Sequence, residues 1–267
     1  MFLSEIHLYP VKSLGGFAVQ AAPVEKRGLQ FDRRWMLVDR QGNFLTQREI
    51  HQMALIRTLA LSNGGWQFEM EGRPPLLLDN PQGGGMPLEV TVWGDRCVAI
   101  EVSFVANFWF SEALGMDCRL VYMPEESLRP VEAAFRMQAD DITSFSDGYP
   151  CLLVSTASLA DLNNRLATPV PMNRFRPNLV ISDTAPFEED KWRTIQIGSV
   201  KFEIVKPCAR CVVTTIDQAT GQAGKEPLQT LATFRKFGNK IFFGQNIIPH
   251  QTGTVRVGDK VEVLKWL

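Results

Sequence analysis

Through its first hundred residues this chain never runs long without a turn. Ser4 to Tyr9, Arg34 to Asp39, Met53 to Leu61, Trp66 to Met70 and Leu88 to Trp93 are rich in apolar and β-branched residues, and between them stand Gly15-Gly16, Gln41-Gly42-Asn43, Asn63-Gly64-Gly65 and Gly83-Gly84-Gly85. Segments of strand length separated by turn-forming residues predict an antiparallel barrel or sandwich rather than a helical bundle. The triple glycine lacks the spacing and the following helix of a phosphate-binding loop, so a plain hairpin loop is expected there.

From Val102 to Leu114 the apolar residues fall near helical spacing, with Gly115 placed as a C-cap. The stretch from Pro124 to Asp141 is acidic and poorly periodic and suits a domain boundary. A second β-rich unit follows. It carries a helix over Thr156 to Arg165, capped by Ser155 or Thr156, and another from Pro227 to Arg235. Strands are expected at Cys151 to Val154, Leu179 to Ser182, Lys240 to Phe243, Gly253 to Val257 and Lys260 to Leu264, the last two joined by a hairpin turn at Gly258-Asp259. At ~150 residues per domain, 267 residues make two modest domains.

Charge narrows the partners. With 28 Lys+Arg against 29 Asp+Glu, there is no broad basic face for nucleic acid or an anionic membrane, although a local cluster for a few phosphates is allowed. No apolar run reaches the ~20 residues of a membrane span, and the N-terminus lacks a cationic secretory leader, so a cytoplasmic protein is expected.

Of five cysteines only Cys208 and Cys211 are close, in Lys206-Pro207-Cys208-Ala209-Arg210-Cys211. Two thiolates at this spacing reach one metal ion or form a disulfide, and the arginine between them favours the anion. A structural zinc site wants about four ligands, and the chain has no second cysteine pair and only His7, His51 and His250. A thioredoxin-like dithiol wants a helix after the pair, whereas Val212 to Ile216 reads as β. Two core cysteines at a strand end remain the plain alternative. No Gly-x-Ser-x-Gly elbow accompanies the histidines, which disfavours a hydrolase triad.

A second set of residues suits an anion. Lys12-Ser13 lies in a turn, Asp32-Arg33-Arg34-Trp35 enters a strand, and Arg174-Phe175-Arg176-Pro177-Asn178 leads into another. Charge together with directional donors is what a buried phosphate requires. The Ser146-Asp147-Gly148-Tyr149 loop opens onto an apolar strand and can add donors. Taken singly, each of these is better read as a surface group or a local ion pair.

In this order, Tyr9-Pro10-Val11-Lys12-Ser13, Asp32-Arg33-Arg34-Trp35, Phe145-Ser146-Asp147, Ser158-Leu159-Ala160-Asp161-Leu162-Asn163, Asn173-Arg174-Phe175-Arg176-Pro177-Asn178 and Pro207-Cys208-Ala209-Arg210-Cys211 resemble the motifs of MOSC-domain proteins. Within that family the chain is similar to bacterial N-hydroxylated-base reductases and to mitochondrial amidoxime-reducing components, over nearly its whole length. The resemblance implies a mixed α and β, β-rich fold: an antiparallel β-barrel N-terminal domain over residues 1–122, packed on a MOSC β-barrel domain over residues 123–267 with a few flanking helices.

It also implies molybdenum cofactor, a pterin dithiolene bearing a phosphate, with Cys211 as metal ligand and catalytic centre. Lys12, Ser13, Arg33, Arg176 and Asn178 then fall where the family holds phosphate and pterin, with Ser146, Asp147, Arg210 and Asn246 as further cofactor-binding candidates. The implied activity is two-electron reduction of small N-hydroxylated compounds such as hydroxylamines, amidoximes and N-hydroxy bases. No iron–sulfur domain and no membrane anchor is expected in this chain, so electrons would come from an external ferredoxin-like protein or flavin reductase. A non-catalytic carrier of cofactor or sulfur is the alternative; a pyridoxal-phosphate site has no dedicated lysine motif to support it.

Overall fold

The computed structural model describes residues 1–79 and 81–267. Its organising element is a nine-stranded sheet. In spatial order it runs Phe17–Val19, Phe2–Leu8, Leu179–Ser182, Cys151–Ser155, Lys240–Pro249, Val200–Ala209, Trp192–Ile197 and Val261–Trp266, with Lys236–Phe237 paired to Lys240–Pro249. The pairings are antiparallel except for Cys151–Ser155 beside Leu179–Ser182. Strand twist curls the sheet until its second strand meets the start of its last: Phe2 bridges Lys260, and the Leu3 amide donates to the Asp259 carbonyl at 2.9 Å. The curled sheet encloses a core that includes Leu3, Ile6, Trp192, Phe202 and Ile247, all fully buried.

A four-stranded sheet of Trp35–Val38, Arg119–Tyr122, Asp95–Glu101 and Pro87–Val92 and a three-stranded sheet of Arg57–Ala60, Trp66–Glu69 and Leu76–Leu78 form the N-terminal half. Helix α1, Phe104–Leu114, covers them, burying Ala106, Phe110, Ala113 and Leu114 in a cluster with Trp35, Phe68 and Leu120. Ser103 caps it through the Ala106 amide, and Gly115 ends it at φ 68°. The first two strands lie in the nine-stranded sheet, and Ala21–Glu25 pairs with Gly253–Arg256, so the two ends of the chain are woven together.

Helix α2, Thr156–Asn163, is capped by Ser155, whose hydroxyl accepts from the Ser158 amide at 3.1 Å; helix α3 is Leu228–Phe234. Both cover a cluster that includes Leu162, Phe175, Leu231 and Phe243.

Four local expectations are corrected. Val212 to Ile216 is not a strand: Val212–Thr215 is a 3-10 turn, because Thr214 Oγ1 and Thr215 Oγ1 donate back to the Cys211 and Val212 carbonyls at 3.0 and 2.8 Å. Met53 to Leu61 is not one strand either. His51–Leu55 forms a 3-10 turn that buries Met53 and Ala54, and only Arg57–Ala60 is extended. Gly83-Gly84-Gly85 is not a hairpin loop, since Leu76–Leu78 and Pro87–Val92 belong to different sheets. Gly258-Asp259 turns the chain, but the strands on either side pair with Ala21–Glu25 and Trp192–Ile197 rather than with each other. Register along a strand is local, whereas choice of partner is not.

Candidate functional site

Three short segments lie side by side at the junction of the sheets. The Arg33 amide donates to the Tyr9 carbonyl at 2.9 Å, the Lys12 amide to Trp35 at 2.8 Å, and the Phe145 amide to Arg33 at 2.9 Å. Ser144 Oγ adds a bond to the Asp32 carbonyl at 2.8 Å. A fourth segment joins through Asn178, whose backbone amide donates to Leu152 and whose carbonyl accepts from His7, at 2.8 and 2.9 Å. Backbone pairing thus gathers residues that the sequence keeps far apart.

Together they line one cavity of about 300 Å³. All ten residues expected at a site lie on its wall: Lys12, Ser13 and Arg33 from the N-terminal segments, Ser146, Asp147, Arg176 and Asn178 from the middle, and Arg210, Cys211 and Asn246 from the C-terminal strands. The backbone is strained there. Ser13, Arg33, Trp93 and Arg176 all line the cavity and take left-handed φ values of 67°, 49°, 56° and 53°. A non-glycine residue in this region costs ~1–3 kcal/mol, a cost borne here by the surrounding backbone hydrogen bonds.

The wall is strongly cationic. Lys12, 4% exposed, places Nζ 2.5 Å from Asp147 Oδ1, and Trp93 Nε1 donates to the same oxygen at 3.3 Å. Burial would raise the Asp147 carboxyl, but Lys12 and Arg48 outweigh it and hold the group well below the usual carboxylate range. It stays ionised, and 70% of its side chain is exposed. Burial lowers Lys12 in turn, against the pull of Asp147.

Arg33 is paired with Asp32 at 2.5 Å, and Arg174 with Asp217 at 2.8 Å. Arg176 has no carboxylate partner among the described residues; its Nη1 donates to the Leu14 carbonyl at 2.7 Å, and burial with Arg33 nearby pulls it down to about 10. Arg210 donates to the Phe243 and Phe175 carbonyls at 2.7 and 3.0 Å, which leaves its Nη2 buried without a partner.

Cys208 and Cys211 are both free thiols on the cavity wall. Burial pushes Cys208 up, with Arg210 working the other way. Among the described residues no group of three or more His, Cys, Asp and Glu side chains could hold a metal ion. A metal at Cys211 would therefore draw most of its ligands from a bound group. The residues fit such a group: a sulfur donor, a carboxylate-free guanidinium and an orphaned buried N–H share one cavity.

Two candidates serve the wall itself. The Asn178 side chain is 1% exposed, with Nδ2 donating to His7 O at 3.2 Å and Oδ1 accepting from the Leu152 amide at 3.1 Å. Ser146 Oγ is taken up by Thr143 Oγ1 and the Tyr149 carbonyl, at 2.5 and 2.7 Å.

Sequence reasoning missed Arg48, whose guanidinium carbon lies 4.2 Å from the Trp93 ring centre, and Arg129. Arg129 is 3% exposed and pins the Ser144 and Ser146 carbonyls at 3.0 and 2.5 Å. No local motif marks either residue. The histidines stay outside: His7 pairs with Glu5 at 2.7 Å and His250 with Glu203 at 3.1 Å. No helix among the described residues is long and apolar enough to cross a membrane.

Comparison with known proteins agrees with the order of these segments. The chain matches the MOSC N-terminal beta barrel domain over residues 1–117 and the MOSC domain over residues 140–262. It is 34% identical to mitochondrial amidoxime-reducing component 1 of Mus musculus over 98% of this chain and 82% of that protein, and 32% identical to its Homo sapiens counterpart over the same shares. It is also 36% identical to molybdenum cofactor sulfurase of Oryza sativa subsp. japonica over 91% of this chain, which spans 32% of that longer protein. With the N-terminal barrel and the MOSC domain both matched, and a relative 34% identical over 98% of this chain, the chain belongs to the MOSC-domain family.

Proposed function

We propose that this protein is a molybdenum-cofactor reductase of N-hydroxylated compounds, supplied with electrons by a separate iron–sulfur or flavin protein and working in the cytoplasm. The observation that carries the reading is the placement of Cys211 on the wall of the same cavity as Lys12, Arg33 and Arg176. The cofactor, when bound, supplies the two-electron redox chemistry and most of the metal's ligands.

The chain's own residues bind and orient. Cys211 donates its sulfur to the metal. Arg33, Arg176 and Lys12 take the phosphate, with Ser13 and the unpartnered Nη2 of Arg210 as neutral and charged donors beside them. Asp147 fixes the Lys12 ammonium, Asn178 and Ser146 hold the wall, and Asn246 faces the cavity from the strand opposite Lys206. The overall reaction converts an N–OH group, two electrons and two protons into N–H and water.

The test is purification from cells able to make the cofactor, analysis of molybdenum and pterin, and assay of benzamidoxime and hydroxylaminopurine reduction with an artificial reductant. Stoichiometric cofactor with turnover is expected. Cofactor without turnover on any N-hydroxylated compound would defeat the reductase while sparing the binding site.

A second reading, a cofactor or sulfur carrier, is favoured by the similarity to the rice sulfurase and by Cys208 beside Cys211 on the wall. A persulfide on either cysteine, found by mass spectrometry, would support it.

A further inference from the structure

Arg33 and Arg176 present a physical problem. Their guanidinium carbons each lie 4.3 Å from the centre of the same aromatic ring, that of Tyr9, and Arg33 Nη2 donates to the Arg176 carbonyl at 3.2 Å, so two like charges share one ring. Asp32 pairs with Arg33, and no carboxylate among the described residues pairs with Arg176. Their repulsion contributes to the lowered affinity of Arg176 for its proton. Asp32 and the Arg176 carbonyl hold Arg33, and the Leu14 carbonyl holds one edge of Arg176, but none of these neutralises Arg176. Without a further contact the two guanidinium planes would relieve the repulsion by rotating apart, at the expense of a preformed anion site.

We infer that Tyr9 is a positioning residue of this clamp: its π-electron ring attracts both guanidiniums and holds them in place for a phosphate-type anion. The ring is suited to the task because it cannot move. Tyr9 is 2% exposed and does not itself line the cavity. Its backbone amide donates to Asp32 Oδ1 at 2.9 Å, and its carbonyl accepts from the Arg33 amide at 2.9 Å, so ring, acid and first arginine form one unit. A Cβ on Gly16 would fall 2.3 Å from Tyr9 Cδ1, which shows how closely the chain is drawn against the ring edge. The Tyr9 hydroxyl is buried without a hydrogen-bond partner. The part that works is therefore the ring face and not the oxygen.

This inference rests on reading the cavity as a site for a phosphate-bearing ligand, and not on the identity of any metal. The probe is pyrophosphate, titrated by calorimetry into protein made in cells unable to synthesise the cofactor. Wild type is expected to bind, Tyr9→Phe to bind within about twofold with an unchanged or higher Tm, and Tyr9→Leu to bind about tenfold more weakly. Where the leucine variant fails to fold, phenylalanine carrying one, two and three ring fluorines at position 9 keeps the shape and withdraws charge from the face. Affinity should then fall step by step at constant Tm, a response that packing alone does not give.

A flat fluorine series, a leucine variant that binds like wild type, or no pyrophosphate binding by wild type would overturn the inference. Loss in Tyr9→Phe equal to that in Tyr9→Leu would also overturn it, by assigning the effect to the hydroxyl. A graded series in a protein whose cofactor-competent preparation holds no molybdenum would sink the proposed function and leave this inference standing. Stoichiometric molybdenum with a flat series would do the reverse.

Discussion

Lys12 Nζ and Asp147 Oδ1 lie 2.5 Å apart although 135 positions separate them in the chain. The ammonium is almost wholly buried, whereas the carboxylate is largely exposed. Each keeps the other charged, and the pair ties the N-terminal turn to the loop after Phe145.

Asp147→Asn leaves a buried ammonium without its counter-charge, and a loss of about 1–3 kcal/mol is expected, at the low end because the acid is solvated. The sign with pH follows from the direction of the shift. A carboxyl held below its unfolded value near ~3.9 contributes stability that is fully present above that value and is lost as pH falls through the lower folded value. Urea melts of wild type and variant should therefore differ most near neutral pH and converge in acid. A difference that grows on acidification would contradict this account.

Arg129→Ala should cost about 3 kcal/mol. It removes a 3% exposed guanidinium that holds the Ser144 and Ser146 carbonyls and pairs with Asp95 at 2.8 Å. The loop that carries Asp147 is expected to loosen. Hydrogen exchange at residues 143 to 148 reads this directly, and unchanged protection there would rule it out.

Gly244 sits at φ 76°, and a Cβ on it would lie 2.7 Å from both the Leu153 carbonyl oxygen and Val154 Cγ2. Gly244→Ala combines a left-handed penalty with a clash against backbone that cannot yield, so a loss of about 2–4 kcal/mol is expected. The backbone shift that relieves this clash should also move Arg210, whose Nη2 lies in van der Waals contact with the same point and whose Nε donates to the Phe243 carbonyl. Thermal melting gives the first effect and pyrophosphate affinity the second.

Cys208 is raised by burial, so its thiol stays protonated at neutral pH. Alkylation of Cys208 by iodoacetamide in the cofactor-free protein should be slow at pH 7 and accelerate only well into alkaline solution. Arg210→Gln removes the opposing charge and should slow it further. Mass-spectrometric time courses at several pH values check both statements, and rapid labelling at pH 7 would refute the first.

Much of this protein was legible before any tertiary contact was known, because the signals are local. Turn residues between short apolar runs announced a β-rich chain, and Gly115 and Ser155 closed and opened helices where their side-chain and backbone chemistry requires, whereas Lys12, Arg33, Arg176 and Cys211 were grouped around one ligand only by the resemblance to MOSC-domain motifs. The errors were local as well as distant. Val212 to Thr215 has the composition of a strand, yet two threonine hydroxyls bend it into a turn.

Other features were decided only by the fold. Tyr9 heads a motif with no charge-binding role of its own in sequence, and only packing sets its ring 4.3 Å from two guanidiniums 143 positions apart. Arg129 carries no motif, and only the return of Ser144 and Ser146 gives its guanidinium two carbonyls to hold. The physical reason is range: turn and cap preferences act over a few residues, whereas burial and charge balance are set by whatever strands of the curled sheet bring near.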